Sequence, residues 1–158
     1  MSDRAGCAGT LPHVSGAKDR LPGNARVGLD DGLDAALSRV VSALRTMPPG
    51  KLAARLSGPT PTRADAGRLL ARTLAVAAQG IEEAGAAAMP SWREVPTLPD
   101  LAVGDQVNVM LHDLRAALSG DAFGVSVGDG VWTPQGRAPL TDVMRDVETT
   151  TEEVRRLL

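Results

Sequence analysis

A side chain that moves protons, attacks carbon or grips a metal needs a second group within hydrogen-bond reach, so the scarcest reactive types come first. The 158-residue chain has two histidines, His13 and His112, and one cysteine, Cys7. His13 sits in a leader without periodicity, which leaves His112 as the one candidate for acid–base work. Asn108 and Arg115 lie one helical turn away from it. Asp105 lies two turns back, roughly 10 Å along an axis rising about 1.5 Å per residue. A carboxylate at that distance cannot orient the imidazole, and Asp113 points about 100° around the helix. A solvated or edge-packed histidine is the better reading, and no catalytic residue is assigned.

Other chemistries find less. No Cys, His or Glu stands four residues from His112, and structural zinc spacings are absent, so no metal is expected. Pro48-Pro49-Gly50-Lys51 ends in Gly-Lys but lacks the first glycine and the hydroxyl residue of a phosphate loop. Gly124-Val125-Ser126-Val127-Gly128 has the Gly-x-Ser-x-Gly spacing, but with Gly130 it falls in a predicted hairpin, not in the strand-to-helix turn that a nucleophile elbow needs, so these glycines belong to turn chemistry. No cofactor follows from any of this. Arg4-Ala5-Gly6-Cys7 superficially resembles a lipidation box but lacks the preceding apolar stretch. A lone cysteine makes no intrachain disulfide, which fits a cytoplasmic setting.

Two weaker groupings remain. Asp105, Gln106 and His112, with Trp132, would line a small-molecule pocket if the fold brought them together. Trp92, in a proline-stiffened stretch, together with Leu74 and Val76 on an unusually wide apolar helix, are candidate partner contacts.

Composition bounds what can carry these residues. Trp92, Phe123 and Trp132 are the only aromatics, so the core must come from Leu, Val, Ala and a few Met. Small side chains let helix axes approach closely, which favours helices over a sandwich. A net charge of −2 offers no electrostatic footprint for nucleic acid. The acidic residues of the last helix, Asp142, Asp146, Glu148, Glu152 and Glu153, argue the same way. No run reaches the 18 or so apolar residues that span a bilayer. Lysine occurs only at 18 and 51, and this Arg and Ala bias is similar to that of small proteins from high-GC bacteria, a likeness that transfers no site.

The pattern predicts a mainly α, small helical bundle over 29–158 behind a flexible, disordered arm at 1–28. Four main helices are expected at about 30–47, 62–88, 100–119 and 141–157, with a short helical piece after Pro48-Pro49-Gly50. Asp30, Asp31 and Asp34 open the first. Thr62 caps the second, with Asp65 three residues on. Pro90, Pro96 and Pro99 make an extended connector into the third. Phe123, Val125 and Val127, a Gly128-Asp129-Gly130 turn and Val131-Trp132 read as a β-hairpin near 123–133, followed by a turn at Pro134–Arg137. Thr141 is the expected cap of the last helix, and Thr149-Thr150-Thr151 marks a weak middle in it. The run Leu74–Ala78 is apolar around more than one side. That helix is therefore central, or its second face meets another subunit.

These features point to a non-catalytic cytoplasmic protein–protein interaction module that binds a protein partner or itself, with no nucleic acid and no membrane. The alternative is a small-molecule binder or enzyme using the pocket near His112.

Overall fold

Leucines, valines and alanines at three- and four-residue intervals must be hidden together, and in the computed structural model helices hide them. The structure describes residues 29–58, 61–119 and 130–158. In chain order these form α1 (Asp31–Thr46), the single turn α2 (Pro49–Leu52), α3 (Arg63–Glu82), a 3-10 turn (Asp100–Ala102), α4 (Val103–Ser119), β1 (Gly130–Thr133), β2 (Gly136–Pro139) and α5 (Leu140–Leu157). Among the described residues the protein is mainly helical with one two-stranded antiparallel hairpin, as its apolar spacing predicts. The arm at 1–28, with Cys7 and His13, and the stretch with Phe123, Val125 and Val127 lie outside the described residues.

Contacts fix how the helices run. Asp34, early in α1, pairs with Arg115, late in α4, at 2.7 Å, and Arg45 pairs with Asp105 at 2.7 Å. These two helices are therefore antiparallel. Arg63 at the start of α3 donates to the carbonyl of Leu157 at the end of α5, so that pair is antiparallel too. Gly67 of α3 lies against Val103 of α4 and Arg68 meets Asp100, and the two helices stay packed along their length. They run in the same sense, which obliges residues 83–99 to travel back along them as an extended strap.

α3 is the centre. Leu70, Ala71, Leu74, Ala77, Ala78 and Ile81 are buried on more than one side of it, against α4, α5 and β1. Of the wide apolar surface read from residues 74–78, Leu74, Ala77 and Ala78 thus meet the chain's own elements, while Ala75 and Val76 stay half-buried. Leu37, Val40 and Leu44 of α1, Val107, Leu111 and Leu114 of α4, and Val147 and Val154 of α5 complete the core.

Local signals explain the ends. Asp30 caps α1 by accepting from the amides of Gly32 and Leu33. At α3, Thr62 and Asp65 hydrogen-bond reciprocally: the Asp65 amide donates to Thr62 Oγ1 at 3.1 Å, and that hydroxyl donates to Asp65 Oδ2 at 2.7 Å. First the Thr62 hydroxyl, then the Arg68 guanidinium, holds the Asp65 carboxyl below its usual value of 3.8. A carboxyl depressed by folding stabilises the fold above its ordinary pKa, and the contribution is lost as pH falls through the lower folded value. Acid unfolding should therefore show wild type losing stability relative to Asp65→Asn below about pH 4. Parallel curves for the two chains would remove this role for Asp65.

Three boundaries differ from the sequence expectation. α3 stops at Glu82 rather than near 88, because Glu82 and Glu83 bring negative charge to the negative end of the helix and Gly85 propagates it poorly. The carbonyls beyond are taken by tertiary donors: Arg137 Nη2 donates to Ala84 and Ala86, both at 2.8 Å, and Trp132 Nε1 to Ala86 at 3.2 Å. The hairpin sits further along than expected, with Gly130 facing Pro139 and Thr133 facing Gly136. Its turn is Pro134-Gln135, closed by Gly136 at φ 123°, where a side chain would be strained. α5 begins after Pro139 rather than on a Thr141 cap, since the proline ring presets the entry angle. The threonine triplet does not interrupt it: α5 is helical from Leu140 to Leu157, with Thr151 buried and its hydroxyl donating to the Val147 carbonyl at 2.7 Å.

Candidate functional site

The residues singled out by sequence scatter over the fold. Asp105 is exposed and engaged by Arg45. Its neighbour Gln106 turns the other way, is buried, and donates through Nε2 to the Pro96 carbonyl. His112 is exposed on the outer face of α4. Trp132 lies on β1, half-buried against the end of α3, with the Arg137 guanidinium 4.6 Å above its ring. Two of the four, Gln106 and Trp132, thus brace the fold. The structure shows no contact that gathers all four around one cavity. Among the described residues, no three His, Cys, Asp or Glu side chains cluster as metal ligands.

The partner candidates divide. Leu74 is at 0% exposure, inside the core, which removes it from any surface the fold presents. Trp92, a residue of the strap, is half-buried, and its indole nitrogen has no hydrogen-bond partner among the described residues. Val76 alone lines an open depression.

That depression is an open groove of about 420 Å³ between α3, α5 and the hairpin turn. Such a volume falls in the roughly 300–1,000 Å³ range of ligand sites. Two antiparallel helices form its sides. Ala77 and Val143, both buried, make its floor, and Thr133, Pro134 and Gln135 close one end. Its lips differ in charge: Arg72 and Thr73 stand on the α3 side, Asp146, Thr149 and Thr150 on the α5 side. Among the described residues neither Arg72 nor Asp146 forms an ion pair. One turn before Arg72, Leu69 is 43% exposed and prolongs the apolar surface along the same face of α3.

Sequence reasoning reached this groove only through Val76. Arg72 and Asp146 look like ordinary solvated charges in the sequence, and the threonines read as a weakness of the helix. Their shared address depends on α5 lying antiparallel to α3, which no local pattern encodes.

No family model matches this chain, and no curated protein or solved structure is significantly similar to it. Among the described residues no helix is long and apolar enough to cross a membrane.

Proposed function

We propose that the chain is a non-catalytic protein–protein interaction module whose α3–α5 groove seats an amphipathic helix of a partner. One observation carries this reading: a helix-walled groove with an apolar floor and lips of opposite charge. A docked helix would lay apolar residues, spaced three and four apart, along Leu69, Val76 and Ala77. A carboxylate on one edge would meet Arg72, and a basic group on the other would meet Asp146, which fixes the helix direction. The threonine hydroxyls and Gln135 offer hydrogen bonds that adapt to side chains at the rim.

Helical peptides selected from a displayed library against the whole chain test the proposal. Val76→Arg fills the groove and should weaken their binding by about tenfold or more, as loss of a central apolar contact does. Helical circular dichroism should not change, because Val76 lies outside the core. Arg72→Glu should favour peptides with the reversed charge on that edge. Binders indifferent to both substitutions would overturn the assignment. If light scattering gives twice the 16.4 kDa chain mass, and Val76→Arg restores the single mass, the partner is a second copy.

A further inference from the structure

The strap that returns from α3 to α4 is held in an unusual way. From Ala87 to Leu98 its main chain makes no backbone–backbone hydrogen bond with the described residues. Side chains take that place. Gln79 of α3 donates through Nε2 to the Ser91 carbonyl at 2.8 Å and accepts the Arg93 amide on Oε1 at 2.9 Å. Gln106 of α4 donates to the Pro96 carbonyl, and Arg68 of α3 donates to the Leu98 carbonyl at 2.9 Å. Both glutamines are only 5% exposed, so the seam between α3 and α4 contains built-in polar fingers aimed at a passing main chain.

The strap's own pattern says what form of chain fits. Trp92, Val95 and Leu98 are half-buried while Ser91, Arg93, Glu94, Pro96, Thr97 and Pro99 are exposed. A period of three residues is that of the polyproline II helix, and prolines at 90, 96 and 99 favour it. Segments of this kind are recognised through their carbonyls and through every third side chain, at little entropic cost because they are already extended. The strap is also an imperfect occupant. Three buried side-chain atoms lack a partner among the described residues, Arg68 Nε, Gln106 Oε1 and Trp92 Nε1, and all three lie on this seam. Gln79 clasps a carbonyl and the amide two residues later. Gln106 takes the carbonyl alone, and among the described residues no donor meets its oxygen.

We infer that the α3–α4 seam is a recognition track for an extended, proline-containing polypeptide, and that the strap is its intramolecular occupant, an autoinhibitory contact that a partner segment displaces. The displacing segment follows the same three-residue period and presents an amide to Gln106 Oε1. This surface is separate from the α3–α5 groove and stands or falls without it.

A fluorescent peptide with the sequence of residues 87–99 is the probe, read by polarisation against the full-length chain. The strap's anchors are removed in cis by Trp92→Ser with Val95→Ser and Leu98→Ser. When the competent state is a minor fraction, apparent affinity falls by that fraction, so the anchorless chain should bind the peptide about tenfold more tightly than wild type. Gln79→Ala and Gln106→Ala in the anchorless chain should each reverse that gain, while Val76→Arg should leave it intact. If the triple variant loses its helical circular dichroism, Val95→Ser alone serves, with a gain of about threefold expected on the same arithmetic. Equal affinity of a folded variant and wild type, including no binding to either, overturns the inference. So does a gain that survives both glutamine substitutions.

Discussion

Gly80→Ala should destabilise the fold by roughly 2 kcal/mol or more, although alanine is the better helix former by about 1 kcal/mol. Gly80 lies in the last turn of α3, where β1 crosses it. A methyl group built there would stand 2.0 Å from the Trp132 carbonyl oxygen, and the atom it meets is backbone, not the pliable end of a side chain. The hairpin would have to lift, and Val131, buried at 0% exposure, would lift with it. Trp132 Nε1 and Arg137 would then lose their hold on the carbonyls of Ala84 and Ala86. Chemical denaturation followed at 222 nm decides the matter. A Gly80→Ala chain more stable than wild type would mean that propensity alone governs this position and that the hairpin does not press on the helix.

The second large effect is expected at Leu74. Truncation to alanine should cost about 2–5 kcal/mol, the usual range for a buried leucine whose surroundings cannot close over the void. Leu74 sits at 0% exposure on the central helix, within the cluster that includes Leu37, Leu70, Val107 and Val147. Against typical stabilities of about 5–15 kcal/mol, this is a large fraction. The contrast with Val76→Ala is informative, because Val76 lies two residues away on the groove side and its truncation should cost far less. If Leu74→Ala left stability unchanged, the placement of α3 at the centre of the bundle would be wrong.

These two positions also show what the sequence could and could not disclose. The helices themselves were legible. α1 and α4 follow uninterrupted stripes, and their first turns carry acidic side chains that local physics requires. Thr62 and Asp65 form the reciprocal cap that their spacing implies. The end of α3 was not legible, since the donors that take over its last carbonyls come from residues 132 and 137. In the sequence Gln106 reads as a ligand contact because it stands beside Asp105 and near His112. In the fold its amide faces the strap, and the other buried glutamine, Gln79, carries no signal in the sequence because a lone amide within an apolar stripe resembles an interruption. Leu74 and Val76 looked equivalent on a helix that is apolar on two sides. Which of them faces outward depends on where α5 and the hairpin settle, and that is decided by the whole chain.

The parallel course of α3 and α4 bears on how such a bundle assembles in time. In an up-and-down bundle each helix packs first on its neighbour in sequence, and short loops keep the search brief. Here the pairings that set helix direction join distant residues: Arg115 to Asp34 across 81 positions, and Arg63 to Leu157 across 94. Closure entropy must be met before such contacts give anything back, and folding slows as average sequence separation grows. The kinetics should therefore resemble those of mixed α/β domains more than those of fast helical hairpins. Early helices would wait, apolar faces uncovered, until the last segment of the chain arrives to cover them.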